Sequence, residues 1–242
     1  MFLRSGSLGR GRYAVTDRRG GVSVAPYAEL DLGDHVGDDP AAVAENRTRL
    51  ATALGASQLA FMRQVHGRDV AVVDRLPGAG AAVPQADALV TAVPGVALVV
   101  LVADCVPVLV ADGRAGTAGV AHAGRQGVAA GVVGAMVGAL ADLGSDPQDL
   151  VALVGPAICG RCYEVPEQMR DQVTARVPAA HAVTRSGTPA LDLPAAVAAQ
   201  LRDAGVRQVE RADVCTAESP DLYSHRRDGV TGRFAGAVLV EA

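Results

Sequence analysis

The chain of 242 residues is 50% hydrophobic, which supplies enough apolar side chains for a folded core and excludes intrinsic disorder. All 22 basic residues are arginine, so mechanisms that need a lysine Schiff base or a P-loop lysine are excluded. The net charge of −4 argues against an extended phosphate-binding surface, and we therefore expect no nucleic-acid partner.

The N-terminal third predicts strands around one helix. Residues 22–27 alternate in the manner of a strand that follows a turn. Asp39 suits a helix N-cap, Pro40 suits the first helical position and Gly55 suits the stop, so a helix is predicted over residues 41–54. Three further strands are predicted at residues 58–64, 69–73 and 88–91.

The centre of the chain contains continuous valine-rich runs at residues 96–103, 106–111 and 117–122. Such runs are typical of strands buried on both faces. The first run ends at Asp104, far short of the roughly 20 residues that a membrane-spanning helix needs. We therefore expect no membrane partner.

The rest of the chain continues the alternation of helices and strands. The predicted elements are a helix at 128–143 closed by Gly144, a strand at 151–154, helices at 166–177 and 194–204, and a final strand at 235–240. No linker or repeat divides these elements, which predicts one α/β domain over residues 1–242.

The chain has four cysteines, which are too few for a disulfide scaffold in a protein of this length. The first residues also show no apolar signal segment. These features predict a cytoplasmic protein with free thiols.

His66, Cys105 and His122 each lie beside a turn at the end of a predicted strand. Two imidazoles and one thiolate match the three protein ligands of a catalytic zinc site, in which water takes the fourth position. Their spacing matches no local zinc motif, so only the fold can bring them together. The alternative is that each is an ordinary structural residue.

Two other groups of residues are weaker candidates. Cys159 and Cys162 have thioredoxin-like spacing, but Gly155-Pro156 separates them from the preceding strand, which favours simple packing over a redox role. The three arginines within residues 226–233 surround a tight turn that suits a phosphate or carboxylate, and the alternative is a solvated turn with ion pairs. The remaining histidines are predicted to be solvated surface residues: His35, His181 and His225.

An ordered set of motifs covers most of the chain. It comprises Gln64-Val-His66-Gly67, Asp87-Ala-Leu-Val-Thr91, Ala103-Asp-Cys105-Val-Pro107, Ala121-His122-Ala-Gly124, Gly155-Pro-Ala-Ile158, Cys162-Tyr-Glu-Val165 and the run from Arg226 to Arg233. This set resembles the YfiH/YlmD family, whose members were first labelled multicopper polyphenol oxidases or laccase-domain proteins and later recognised as purine nucleoside phosphorylases. One departure is Arg125-Gln126, where the family usually has a tryptophan followed by an arginine.

The resemblance implies an α/β (α+β) layered sandwich with mixed β-sheets flanked by helices. It implies a metal, zinc in preference to copper, bound through His66, Cys105 and His122. The implied reaction is phosphate-dependent cleavage of adenosine, inosine, guanosine or methylthioadenosine, together with adenosine deamination. The implied partners are a purine nucleoside and phosphate, and we expect a monomer or small homo-oligomer.

The resemblance also suggests roles for individual residues. Cys105, His122 and Asp104 are the candidate catalytic residues, although an aspartate beside a ligand is as often a structural acceptor. The candidate residues for binding substrate or phosphate are Arg47, Gln64, Tyr163, Arg227 and Arg233.

Three alternative functions remain open from the sequence. A copper-dependent polyphenol oxidase is disfavoured, because five histidines without a His-x-His pair cannot build a multicopper cluster within one chain. A metal-free cysteine hydrolase would use Cys105 as nucleophile and His122 as base. A non-enzymatic binding protein would require the three predicted ligands to lie apart.

Overall fold

The computed structural model describes residues 1–76, 78 and 82–241. The helices in the described residues are α1 (Pro40–Leu54), α2 (Arg125–Ala130), α3 (Val132–Asp142), α4 (Glu167–Thr174), α5 (Leu193–Asp203) and α6 (His225–Asp228). The strands are β1 (Phe2–Leu8), β2 (Gly11–Thr16), β3 (Gln58–Ala60), β4 (Val70–Val73), β5 (Ala88–Thr91), β6 (Val96–Val102), β7 (Val106–Asp112), β8 (Ala118–Ala123), β9 (Leu150–Val154), β10 (His181–Val183), β11 (Pro189–Leu191), β12 (Gln208–Arg211) and β13 (Phe234–Val240).

The strands form two large mixed sheets and one small hairpin. The first sheet has the order β1-β2-β13-β6-β3, the second has the order β12-β9-β7-β8-β5-β4, and β10 pairs with β11. In the large sheets β3/β6, β4/β5 and β9/β12 are parallel pairs, and the other neighbours are antiparallel. The predicted mixed character of the sheets is confirmed.

The two sheets pack face to face, with helices on both outer sides. Helix α1 covers the first sheet, whereas α2, α3 and α5 cover the second. In β6, Val96, Leu98 and Val100 point into the core between the sheets, and Ala97 and Val99 point toward α1. This period of two, with both faces buried, explains the continuous apolar run. The predicted layered α/β sandwich is confirmed.

The beginning of the chain differs from the prediction. Residues 22–27 form no strand; instead the Tyr27 N–H donates to the Val24 carbonyl and closes a turn. Sequence reasoning missed β1 and β2, which pair as a hairpin and join β13. Farther along the chain it also missed β10, β11, β12 and the short helix α6. Alternation alone therefore predicted a strand at the wrong place.

Three predicted elements differ in extent from the structure, of which the simplest is the helix predicted at 166–177, observed at Glu167–Thr174. Strand β3 ends at Ala60, and farther on the Gln64 side-chain amide replaces backbone pairing, because it donates to the Leu101 carbonyl at 2.8 Å and accepts from the Leu101 N–H at 3.0 Å. The predicted helix at 128–143 is two helices separated at Gly131, whose φ of 87° is left-handed. A residue without a Cβ adopts this conformation at little cost.

None of the helices in the described residues combines the length and the apolar character needed to cross a lipid bilayer.

Candidate active site

The register of the second sheet brings several chain segments to one edge. Because Val106 pairs with Ala123, the residue before β7 lies near the end of β8. Because Ala88 pairs with Ala121, the residue before β5 lies there too. The two residues placed by this register beside His122 are Cys105 and Asp87.

The structure brings the three predicted metal ligands together. His66 lies in the loop between β3 and β4, Cys105 immediately precedes β7, and His122 lies in β8. The Cys105 Sγ lies 3.9 Å from the His66 Nε2, and the two imidazole rings meet edge to face with centroids 4.6 Å apart. One ligand atom from each residue lies within 4.8 Å of the other two.

Asp87 orients both histidines. Its Oδ1 lies 2.8 Å from the His122 Nδ1 and accepts the backbone N–H of His66 at 2.9 Å. Its Oδ2 accepts the backbone N–H groups of Val65 at 3.2 Å and of Gly67 at 2.6 Å. A carboxylate bound to one imidazole nitrogen fixes the ring and leaves the other nitrogen for a metal. Sequence reasoning assigned Asp87 no role.

Asp87→Asn is expected to weaken metal binding about 10- to 100-fold, since an orienting carboxylate of this kind has that effect. One carboxylate oxygen would become an NH₂ group facing N–H donors. Competition with a coloured chelator measures the affinity. Asp69→Asn, an exposed aspartate of the same loop, is the matched control. Unchanged affinity in Asp87→Asn would contradict the orienting role.

Cys105 and His122 form a mutually stabilised acid and base. Burial opposes ionisation of the Cys105 thiol, but His122 and His66 outweigh it and lower its pKa to about 6. Burial also opposes protonation of His122, but Cys105 and Asp87 outweigh it and raise the pKa of the imidazole. The thiolate is the form that binds a metal and also the form that acts as a nucleophile.

Gly124 leaves the space that the cluster occupies. A Cβ at this position would lie 2.7 Å from the His66 Cδ2 and 3.0 Å from the Cys105 Sγ. Any side chain here would therefore displace two of the three ligand residues. The glycine of the Ala121-His122-Ala-Gly124 motif is needed for this close approach.

Asp104 holds the turn before β7. Its carboxylate accepts from the Thr216 hydroxyl at 2.6 Å, the Ser224 hydroxyl at 2.7 Å and the Arg226 N–H at 2.6 Å. Its φ of 95° is left-handed and places Cys105 at the sheet edge. These bonds favour a positioning role for Asp104 over proton transfer.

The ligand cluster opens into a cavity of about 480 Å³. This volume lies within the usual range of small-molecule sites. Its lining combines apolar, imidazole and guanidinium groups: His35, Gln64, His66, Leu101, Val102, Ala103, Asp104, Cys105, His122, Ile158, Tyr163, Leu193, His225, Arg226 and Arg233.

Arg233 is the more enclosed of the two arginines that line the cavity. Its Nη1 donates to the Thr231 and Gly232 carbonyls, both at 2.9 Å. Its Nε and Nη2 make no hydrogen bond with any residue that the structure describes. Burial lowers the pKa of the guanidinium, which nevertheless stays charged at neutral pH. Arg233 can therefore offer two N–H directions to an anion.

Asp31 fixes the backbone of Arg233 at an electrostatic cost. Its Oδ1 accepts from the Gly33 N–H at 2.9 Å and the Arg233 N–H at 2.7 Å. Its Oδ2 is buried with no hydrogen-bond partner among the described residues. Burial outweighs these bonds and raises the pKa of Asp31 to about 6.

Because folding raises this pKa from 3.8, Asp31 contributes stability that is fully present below about pH 4 and is lost as the pH rises through 6. The free energy of unfolding of the wild type, relative to Asp31→Asn, is expected to fall by about 2–3 kcal/mol between pH 4 and pH 8. Urea unfolding at several pH values measures the difference. Asp203→Asn, at an exposed position in α5, should show no such trend, and a pH-independent difference for Asp31→Asn would overturn the assignment.

Tyr163 and Arg226 form one wall of the cavity. The Arg226 guanidinium lies over the Tyr163 ring, 5.1 Å from its centroid, and donates to the Glu164 carbonyl at 3.0 Å. Burial raises the pKa of the Tyr163 hydroxyl, so it stays a hydrogen-bond donor at neutral pH. Sequence reasoning had placed Arg226 only within a general anion-binding turn.

Arg227, a predicted phosphate ligand, faces away from the cavity. Its guanidinium donates to the carbonyls of Thr216, Ser219 and Leu222 and to the carboxylate of Asp228. These bonds use all five of its N–H donors. Arg227 therefore holds the 216–222 loop and has no donor left for phosphate in this conformation.

Two other predicted binding residues act mainly on the backbone. Gln64 lines the cavity, but both polar atoms of its amide bond to Leu101. Arg47 donates to the Leu32 carbonyl at 2.8 and 3.0 Å, pairs with Asp34 and stacks on the Phe61 ring. It lines an adjoining cavity instead.

Sequence reasoning also missed His35 and His225. Both are exposed, as predicted, but both line the cavity that contains the ligand cluster. Partial desolvation of the ring by the surrounding residues and the nearby Arg233 lower the pKa of His35, and Asp34 opposes them. The hint that was available for His225 is its place immediately before Arg226 in the recognised motif. His35 had no comparable signal.

Comparison with known proteins gives consistent matches over almost the whole chain. A family model described as multi-copper polyphenol oxidoreductase laccase matches residues 12–241. A Streptomyces coelicolor protein named purine nucleoside phosphorylase is 56% identical, with 100% of both chains covered. A Deinococcus radiodurans protein of the same name is 46% identical over 92% of this chain and 86% of the relative.

Solved structures agree with these matches. YlmD from Geobacillus stearothermophilus has a TM-score of 0.89 and 34% identity, covering 100% of this chain and 99% of its own. YfiH from Bacillus licheniformis has a TM-score of 0.87 and 31% identity, covering 96% and 93%.

Proposed function

Because the chain belongs to the YfiH/YlmD family, we propose that it cleaves purine nucleosides with inorganic phosphate. Its relatives are named purine nucleoside phosphorylases, and the model of the family is described as multi-copper polyphenol oxidoreductase laccase. The observation that carries the proposal is that the ligand cluster and two arginines open into the same cavity. Such a cavity can hold a metal ion and a phosphate anion side by side.

The donor set fits a zinc ion. With Zn–S of about 2.3 Å and Zn–N of about 2.0 Å, tetrahedral ligand atoms lie roughly 3.6 Å apart, close to the 3.9 Å between the Cys105 and His66 ligand atoms. The hydrogen bond that the His122 Nδ1 donates to the Asp87 carboxylate leaves the other ring nitrogen for the metal. When bound, zinc supplies Lewis-acid chemistry and acidifies a coordinated water. Among the described residues the one cluster with imidazoles has two of them, which is too few to hold several copper ions, and we therefore propose a single zinc ion in place of a multicopper centre.

Arg233 and His35 are proposed to bind phosphate. The two side chains lie near enough for Arg233 to lower the pKa of His35, and an anion between them would favour the protonated imidazole. An arginine fork suits phosphate oxygens. Phosphate held here is positioned to attack the anomeric carbon of the ribose as the purine leaves, forming ribose 1-phosphate.

Tyr163 and Arg226 are proposed to bind the purine. The tyrosine ring offers an aromatic face, and its hydroxyl can donate a hydrogen bond as negative charge develops on the departing base. Asp104 would keep Arg226 in place through its backbone N–H. Arg125-Gln126, where the chain departs from the usual family residues, lies beside this wall. Arg125 is close enough to the Tyr163 hydroxyl to oppose the rise in its pKa.

Adenosine deamination is the second proposed activity of this cavity. Its support is that the ligand cluster faces the space in which the purine would lie, so that water could replace the amino group at C6 and release ammonia. This reaction consumes no phosphate and therefore can be separated from phosphorolysis.

A substrate panel tests the proposed class. Adenosine, inosine, guanosine and methylthioadenosine should each release their base in the presence of phosphate, and adenosine should also give inosine without it. Uridine is the control because it presents a smaller pyrimidine ring. Turnover of uridine at the same rate as the purines, or of none of the nucleosides, would contradict the proposal.

A further inference from the structure

A second group of metal-ligating side chains lies outside the proposed active site. Its four ligand atoms all lie within 4.8 Å of one another. We call this group the three-cysteine cluster; it consists of Cys159, Cys162, Cys215 and Glu218. None of these residues lines the active-site cavity. Three of them line a different cleft of about 430 Å³, so the cluster is separate from the active-site cavity.

The backbone fixes the two loops that supply the cluster. Ala157 and Cys215 form a parallel bridge, in which the Ala157 N–H donates to Val214 and the Thr216 N–H donates to Ala157. The Cys159 N–H lies 3.4 Å from the Cys215 Sγ. Residues that are 56 positions apart in the chain are thereby held in contact.

A tight turn brings the other cysteine to the same point. The N–H groups of Cys162 and Tyr163 both donate to the Cys159 carbonyl, at 2.9 and 3.0 Å. The Cys162 Sγ lies 3.5 Å from the Glu218 Oε1. Two cysteines separated by two residues in a turn form a ligand arrangement of structural zinc sites. The turn opens no helix, unlike the redox motif with the same spacing.

The surrounding charges suit an anionic metal complex. Three thiolates and a carboxylate carry more negative charge than a divalent ion neutralises. Arg185 forms an ion pair with Glu218, and Arg161 lies in the turn between Cys159 and Cys162. These two guanidinium groups place positive charge beside the cluster.

We propose that the three-cysteine cluster binds a structural zinc ion that fastens the loop after β9 to the loop after β12. Sulfur ligands of tetrahedral zinc lie about 3.8 Å apart. The four ligand atoms lie within 4.8 Å of one another, so movements of about 1 Å would bring them to zinc-binding distances. Binding releases the thiol protons to solvent and needs no oxidant. Thiolates favour zinc over magnesium or calcium.

The proposed site connects to the active-site cavity through neighbouring residues. Tyr163 follows Cys162 directly and lines the cavity. Thr216 follows Cys215 directly and donates to Asp104, which precedes Cys105. Zinc at the three-cysteine cluster would thus hold two loops that support the cavity, while the binding itself does not depend on nucleoside chemistry.

Cobalt titration of the reduced, metal-free full-length protein tests the site. Co²⁺ replaces zinc in thiolate sites and gives charge-transfer absorption that grows with the number of thiolates. The wild type is expected to bind two ions per chain. Cys105→Ser should lose one ion and keep the strong absorption, because three thiolates remain. Cys215→Ser should bind fewer than two ions per chain and lose most of the charge-transfer absorption.

Two results would overturn the site. One is that reduced Cys105→Ser binds no Co²⁺ or Zn²⁺; this measurement does not require Cys215→Ser to fold. The other is a Cys159–Cys162 or Cys159–Cys215 disulfide in protein purified without reductant, detected by mass spectrometry. Because the readout is metal binding with Cys105 replaced, absence of nucleoside turnover leaves the outcome unaffected.

Discussion

Cys105→Ser is expected to lose the metal held by His66, Cys105 and His122 and to lower purine nucleoside turnover on the order of 10³-fold or more. The reason is that replacing a residue that merely orients a metal ligand already lowers metal affinity or activity by about 10- to 100-fold. The substitution removes the thiolate that Cys105 offers to the site. Serine is similar in size, so the cavity keeps its shape. Metal analysis of the purified variant and a base-release assay measure the two effects.

A chelator separates this account from the cysteine hydrolase. Burial opposes ionisation of the Cys105 thiol, but the neighbouring imidazoles lower its pKa, and the thiolate could therefore also act as a nucleophile without metal. Loss of activity in Cys105→Ser is thus expected for both mechanisms. Removal of metal from the wild type should abolish turnover, and added zinc should restore it. Full activity of the metal-free wild type, or turnover and metal content in Cys105→Ser equal to those of wild type, would contradict the account.

Arg233→Met is expected to lower kcat/KM for phosphate by about 10²- to 10³-fold, while metal content stays at the wild-type level. The reason is that the Arg233 guanidinium is enclosed by the cavity and can direct two N–H groups to an anion, a charge-assisted contact that strengthens as the transition state forms. Phosphate dependence of base release at saturating nucleoside measures the effect.

Two further variants control this experiment. Arg233→Lys keeps the charge but not the planar fork, and should fall between wild type and Arg233→Met. Arg114→Met removes an arginine whose side chain is 80% exposed and should leave the phosphate KM unchanged. A wild-type phosphate KM in Arg233→Met would place the anion elsewhere.

The strands at the centre of the fold were predictable because their signal is local. The run from Val96 to Val102 is apolar at every position, and its short length and valine content favour a strand buried on both faces. The break at Gly131 was not predictable in the same way, because small apolar residues continue on both sides of it. In the structure Gly131 adopts a left-handed φ of 87° and ends α2.

The site was predictable to the extent that residue type carries the signal. His66, Cys105 and His122 are recognisable ligands, and a family motif surrounds each of them. Arg226 and Arg227 show the limit, because neighbouring residues of one type have opposite roles. The difference arises from carbonyls of the distant 216–222 loop, which take the Arg227 donors. Such contacts exist only in the folded chain.

The most direct measurement of the central claim is the product formed from inosine with and without phosphate. Purified protein of known metal content is incubated with inosine, and hypoxanthine, ribose and ribose 1-phosphate are separated by chromatography. The account predicts equal amounts of hypoxanthine and ribose 1-phosphate, formed only when phosphate is present. Release of free ribose without phosphate, or no cleavage by metal-loaded protein with phosphate present, would contradict it.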